Sequence, residues 1–207
     1  MIRYRTVFVL TIVAISLSFI GSLATAGSGS IPLILNGGFE DTSERALSPW
    51  NVINGTGDKV VCGTKAPPNT DGGCAFRFKG STNEATVLEQ EADPTTLDAA
   101  NALLDSTPGE ISMNYVVLSD FNVSSLKSKI VVVFTPLGGV KTKVKLTDTF
   151  TGSTNSARDL LWVNEGSIDT LAIFEDSTIT KVKVLLKNKS PYGKLYVDGI
   201  IAVLIGL

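Results

Sequence analysis

The chain of 207 residues contains no histidine. That absence excludes every mechanism that needs an imidazole base, a Ser-His-Asp triad or a His-ligated metal. Cysteine is nearly absent as well, with Cys62 and Cys74 the only two. Two thiols without further Cys or His ligands do not complete a structural zinc site. Aromatic residues make up 7% of the chain, with two tryptophans and four tyrosines, so any ring-stacking surface has few candidates. Positive charge is not in excess: 18 Lys and Arg stand against 20 Asp and Glu, a formal net charge of −2. Such a balance gives no electrostatic case for nucleic acid. Long apolar runs occur only at the two ends of the chain.

The N-terminal run has the grammar of an export signal. Residues 1–5 carry Arg3 and Arg5, residues 6–20 are apolar apart from Thr and Ser, and the segment closes on Ala24-Thr25-Ala26. A basic start, an apolar middle and a small-x-small end describe a cleaved signal peptide. The other reading is an uncleaved anchor, because residues 6–23 approach the roughly 18 to 20 needed to cross a bilayer. Cleavage predicts a signal over 1–26, a secreted or cell-surface protein, and one domain over 27–207. The mature chain then holds 16 basic and 20 acidic side chains, a net charge of −4. In an exported chain, an even cysteine pair close in sequence reads as a Cys62–Cys74 disulfide. Pro67, Pro68, Asn69, Asp71, Gly72 and Gly73 between them supply turn chemistry. The C-terminal run, 199–205, is too short to span a bilayer as a helix and reads as a central strand buried on both faces. No membrane span is expected after signal cleavage.

The remaining chain alternates short runs of Val, Ile, Phe and Thr with clusters of Gly, Pro, Asn, Asp and Ser. This pattern predicts an all-β sandwich. Strands are expected at 31–35, 50–53, 59–62, 74–78, 86–90, 110–118, 129–135, 140–146, 170–174, 179–186 and 194–205. Ile111, Met113, Tyr115 and Val117 share one face of their strand. Val140, Thr142, Val144 and Leu146 likewise oppose Lys141, Lys143 and Lys145. Half-buried strands of this kind belong to antiparallel sheets. One stretch departs from the pattern. Asp93 as N-cap, Pro94 at the first helical position, and apolar residues at 97, 100, 103 and 104 predict a short helix over 93–104, ended by Pro108-Gly109. The polar stretch 148–158 reads as an exposed loop.

The stretch Leu35-Asn36-Gly37-Gly38-Phe39-Glu40 is the organising motif. A strand runs into two glycines, which allow positive φ and close passage of another backbone. Phe39 is then placed to plug a core and Glu40 to face a polar partner. With Pro49-Trp50, Ala75-Phe76-Arg77-Phe78, Leu88-Glu89-Gln90 and the distant Leu195-Tyr196-Val197-Asp198, taken in that order, the chain resembles carbohydrate-binding modules of the family 4, 9 and 22 kind. The resemblance covers about residues 33 to 205. It implies a jelly-roll β-sandwich of two antiparallel sheets in the galactose-binding-like group, with the helix as an insertion. It also implies a structural calcium (Ca²⁺) held by Glu40 and Asp198 with backbone carbonyls. Calcium takes about six to eight oxygen ligands, so two carboxylates with carbonyls and waters suffice.

Function follows the same resemblance: binding of a polysaccharide or other glycan outside the cell, without catalysis. Sugar binding needs an exposed ring face for the pyranose and polar groups for its hydroxyls. Trp162, Tyr115 and Tyr192 are the candidate ligand-binding residues, and Trp50 is expected in the core. A glycosidase would need two carboxylates about 5 to 9.5 Å apart across a cleft, and no motif places two acids together. Lys141, Lys143 and Lys145, with Lys181, Lys183, Lys187 and Lys189, form one basic face if their strands are neighbours. Such a face suits anionic polymers, or simply keeps a sheet soluble and its edge unpaired. The alternative function is a structural surface or matrix protein that self-associates through the sandwich.

Overall fold

The computed structural model describes residues 29–40, 47–67, 73–82, 84–119, 124–152 and 162–207. The expected signal segment, 1–26, and most of the loop expected at 148–158 lie outside the described residues. Among those described, no helix is long and apolar enough to cross a membrane.

The β-rich runs form β1 (Ser30–Pro32), β2 (Asn51–Ile53), β3 (Lys59–Cys62), β4 (Cys74–Lys79), β5 (Thr86–Glu91), β6 (Gly109–Ser119), β7 (Ser124–Thr135), β8 (Thr142–Gly152), β9 (Trp162–Ile173), β10 (Thr178–Asn188) and β11 (Lys194–Gly206). All pairings are antiparallel. One sheet runs β3-β4-β11-β6-β9 with β1 also on β11, and the other runs β2-β5-β10-β7-β8. The architecture is the expected jelly-roll β-sandwich.

Period-two alternation explains why two sheets close on each other. In β6, Ile111, Met113, Tyr115 and Val117 all point inward, and in β7 and β10 so do Ile130, Val132, Val182 and Val184. Burying each such apolar side chain stabilises by about 1.5 to 3 kcal/mol. β8 lies at the edge of its sheet, and exposed Lys143 and Lys145 on it oppose edge-to-edge pairing.

The helix α1 (Pro94–Leu104) forms as expected. Asp93 caps it by accepting from Thr96 N (2.9 Å) and Thr96 Oγ1 (3.0 Å). Those bonds hold its carboxyl below the usual carboxylate value. Ala100 and Leu104 face the core. Asn101 ties the helix to β10 by donating Nδ2–H to Ile179 O (3.1 Å) and accepting from Ile179 N (2.7 Å). With Leu104 O accepting from Asp176 N, α1 closes one end of the sandwich.

The apolar C-terminal run lies in a central strand, β11, of which only the first half is covered on both faces. In the first half of β11, Tyr196 packs outside the main core with Val61, Ala75 and Leu118. Beyond Asp198 the strand alternates, and Ile201 and Ile205 are exposed. The expectation of two buried faces over 199–205 is therefore corrected. Nothing in a run of apolar residues reveals whether a second layer exists above it.

Candidate functional site

The two ends of the chain meet. β11 carries β4 along its first part, Lys194 to Val197, and β1 along its last, Val203 to Ile205, both on the same edge. Between them lies a bulge at Asp198-Gly199-Ile200, where the register to β6 shifts. The segment 36–38 docks into that bulge. Ile200 N donates to Gly37 O (3.1 Å) and Leu33 N donates to Ala202 O (2.8 Å). A Cβ on Gly37 would stand 1.8 Å from Ile200 O, so glycine is required there for space. The positive φ expected at the glycine pair falls elsewhere, on Asn36 (50°) and Phe39 (58°). Left-handed backbone costs a non-glycine residue about 1 to 2 kcal/mol. Phe39 offsets that by burial, with its ring 5.9 Å from Trp50 and 5.8 Å from Phe76. Trp50 is core, as expected, and donates Nε1–H to Asn36 O (3.0 Å).

The side chains of Glu40 and Asp198 both pass beside Gly38. Its Cβ position lies 3.6 Å from Glu40 Cγ and 3.9 Å from Asp198 Oδ1. Asp198 is 2% exposed, and its Oδ1 accepts from Gly199 N (2.7 Å). Glu40 Oε1 accepts from Cys74 N (2.7 Å), at the half-cystine of the Cys62–Cys74 disulfide. The disulfide is formed as expected, across the register pair that ends β3 and begins β4. Among the described residues no group of three or more acidic or cysteine side chains gathers at one point.

Gln90 is the polar residue that sequence reading missed. Its buried amide accepts from Leu35 N (2.9 Å) and donates to Leu35 O (3.1 Å). It stands in for a strand at Leu35, so β1 stops at Pro32 rather than continuing to 35. The available signal was alternation: Gln90 shares the inward face of β5 with Thr86 and Leu88, and a buried amide must find partners.

Of the aromatic candidates, Tyr115 and Tyr192 lie apart, one in the core and one in a turn. Tyr115 is 1% exposed and cannot offer a ring face to a ligand. This corrects its assignment as a stacking residue, and the reason is its strand: position 115 alternates with Ile111, Met113 and Val117 into the core. Its hydroxyl lies 2.9 Å from Ser128 Oγ and 3.1 Å from Asp148 Oδ2. Burial, with a smaller contribution from Asp148, pushes the phenol up to about 12. Tyr192 is 51% exposed in the turn between β10 and β11. Phe174 is also exposed, at 72%, but precedes β10, and eleven residues of strand separate the two rings by roughly 35 Å. Trp162 begins β9 and pairs with Leu118, and its side chain lies outside the described residues.

Tyr115 yields a pH prediction. A phenol whose folded pKa is raised contributes stability that is complete below pH about 10 and is lost as pH rises through about 12. Tyr115→Phe removes that titration along with the two hydroxyl contacts. The variant is expected to be about 1 to 2 kcal/mol less stable at pH 7, with the gap to wild type closing above pH about 10. Urea midpoints of the two proteins across that range check it, because other groups titrate alike in both.

The outer face of the β2-β5-β10-β7-β8 sheet is an organised polar surface. The inward set on β7 leaves Lys127, Lys129, Val131 and Val133 facing out. Across the strands Lys143 and Lys181 flank Val133, Lys145 and Lys183 flank Val131, and Lys127 stands directly opposite Lys187. Val131 and Val133 are buried yet belong to neither core cluster. Long aliphatic stems on either side of a small apolar residue produce that state. Glu89 and Glu91 close the far side on β5, bonded to Lys183 (2.8 Å) and Lys181 (2.6 Å). At the β8 end a recess of about 460 Å³ is lined by Val133, Lys141, Thr142, Lys143, Thr180 and Lys181.

No family model matches this chain, and no curated protein matches it in sequence. Among solved structures the sandwich is similar to several carbohydrate-binding modules and to part of a phage protein. With the enzymatically active domain of bacteriophage CBA120 tailspike protein 4 it shares 16% identity over 83% of this chain, at a TM-score of 0.47. The match covers 21% of that tailspike chain. With TmCBM61, solved in complex with β-1,4-galactotriose, identity is 16% over 83% of this chain and 97% of that one, at 0.44. With the CBM22-1 xylan-binding domain from Paenibacillus barcinonensis it is 12% over 86% and 94%, also at 0.44.

Proposed function

We propose that this chain is a secreted, non-catalytic glycan-binding protein that holds its ligand on the outer face of the five-stranded sheet. The observation that carries the reading is that face itself. It presents ammonium groups, carboxylates and the hydroxyls of Thr147 and Thr149 around half-buried Leu185 and the buried Val131 and Val133. Donors and acceptors spaced in this way suit sugar hydroxyls, with Leu185 offering apolar contact in place of the ring face expected from the sequence. The motif order from Asn36 to Asp198 and the export-like N-terminus support the same reading. The two acids of this face, Glu89 and Glu91, are engaged by lysines, which supports binding over catalysis there.

The test is a titration of residues 27–207 with neutral and uronic-acid oligosaccharides, followed by calorimetry. Binding at millimolar affinity or better is expected for at least one class. Leu185→Glu, on the face, is expected to abolish it with the fold kept. Tyr192→Ala and Trp162→Ala ask whether either ring contributes. Absence of binding to every glycan at millimolar concentration overturns the reading.

Glu40 and Asp198 are proposed to hold a structural calcium at the junction of the chain ends. What supports it is that both side chains pass beside Gly38, and the donor chemistry, hard carboxylate oxygens that suit Ca²⁺. Calcium at 100 times its Kd is expected to add about 2.7 kcal/mol of stability. Melting with calcium and then with chelator measures this, and Asp198→Asn is expected to erase the difference. Equal midpoints in wild type remove the metal from the account.

A second reading, self-association, is favoured by one observation. Ile201 and Ile205 are exposed on the outer face of β11, two strand steps either side of Val203. Sedimentation at increasing concentration decides it.

A further inference from the structure

We infer that the ligand of the outer sheet face is an acidic polysaccharide, one carrying uronate carboxylates. The inference rests on the glycan-binding reading above and specifies its substrate class. Seven lysines project from this one face, at 127, 129, 143, 145, 181, 183 and 187, against two glutamates. The chain as a whole is net negative, so the cations are concentrated here rather than distributed.

Two features argue against a merely solubilising lysine row. First, both acids of the face are already paired, to Lys181 and Lys183. Among the described residues no salt bridge engages Lys127, Lys129, Lys143, Lys145 or Lys187. Second, Lys127 and Lys187 are direct register partners. Like charges directly opposite on one face destabilise a sheet. The chain keeps this arrangement on two central strands, where edge protection is not needed. An anion lying across the strands relieves the repulsion and reaches both ammoniums.

The spacing favours a polymer with isolated charges. Lysines two positions apart on a strand are separated by about 7 Å, and those flanking Val131 or Val133 by about 10 Å. Point-charge ammoniums at such intervals suit single carboxylates along a sugar chain, while Thr147, Thr149 and the paired glutamates remain for hydroxyls. Nucleic acid fits less well, since Glu89 and Glu91 oppose a dense phosphate array. The recess lined by Lys141, Lys143 and Lys181 extends the same chemistry to the β8 edge.

The experiment uses residues 27–207 with polygalacturonate, a neutral xylan, dextran sulfate, single-stranded DNA and anionic lipid vesicles as probes. Polygalacturonate is expected to bind most tightly. Its affinity should fall at least about tenfold as salt rises from about 0.01 to about 1 M, which shortens the Debye length from about 30 to about 3 Å. Lys127→Gln/Lys187→Gln is expected to weaken it about tenfold or more, the effect of removing charge-assisted hydrogen bonds. The same variant should melt no lower than wild type, because it removes an opposed like-charge pair, so loss of binding is not confused with unfolding. Lys59→Gln/Lys65→Gln, beside β3 on the other sheet, should bind as wild type does. Xylan binding that equals polygalacturonate binding and ignores both the salt and the Lys127/Lys187 change would leave the glycan reading intact and overturn this inference. Tighter binding to dextran sulfate, DNA or vesicles overturns the uronate assignment, and no binding to any carbohydrate overturns both.

Discussion

Gly37→Ala is expected to lower the stability of the sandwich by about 3 kcal/mol or more, the upper range for overpacking. The added methyl would stand 1.8 Å from Ile200 O and 2.8 Å from Ile200 C. Both are backbone atoms of the central strand β11, so no rotamer change can make room. Relief requires moving segment 36–38 off the bulge, which breaks the Ile200 N–H bond to Gly37 O. It would also unseat Phe39, whose ring packs between Trp50 and Phe76. For a domain of this size the loss corresponds to a drop in Tm of about 6 to 12 °C. Gly38→Ala, melted in chelator, is the control: its nearest neighbours would be at 3.6 and 3.9 Å, ordinary contact, and little change is expected. A Gly37→Ala protein that melts within a degree of wild type would show that the junction is not the organising contact.

Loss of the Cys62–Cys74 bridge is expected to cost a similar amount, about 3 kcal/mol in the chain-entropy model for a separation of 12 residues. β3 has four residues, lies at the edge of its sheet and pairs only with β4. The bridge fixes the end of that pair. Cys74 N also donates to Glu40, so loosening β4 loosens the chain-end junction with it. Urea midpoints of oxidised protein, reduced protein and Cys62→Ser/Cys74→Ser give the cost. Hydrogen exchange is expected to rise in β3 and at Cys74 while the β7–β10 pairing stays protected. A loss under about 1 kcal/mol would mean the strand pairing holds without the staple.

Particular residues show where sequence reading succeeds and where it stops. Alternation in 111–117 and 140–146 gave the inward faces, because a strand has only two sides and the apolar one must be covered, except at Val140, which precedes β8 and is exposed. Asp93-Pro94 marked the start of α1, because capping is chemistry local to one turn. The same alternation already placed Tyr115 inside, and treating it as a ligand contact set aside the stronger signal of its strand.

What the sequence determined by itself was the strand content, the helix, the cysteine pair and the absence of imidazole chemistry, all of which depend on near neighbours or on composition. Only the tertiary structure decided which distant residues share a place. It put Gly37 against Ile200, turned Gln90 into the partner of Leu35, and set Lys127 opposite Lys187. Those juxtapositions depend on strand order and register, which are selected by the packing of two whole sheets rather than by any local run of residues.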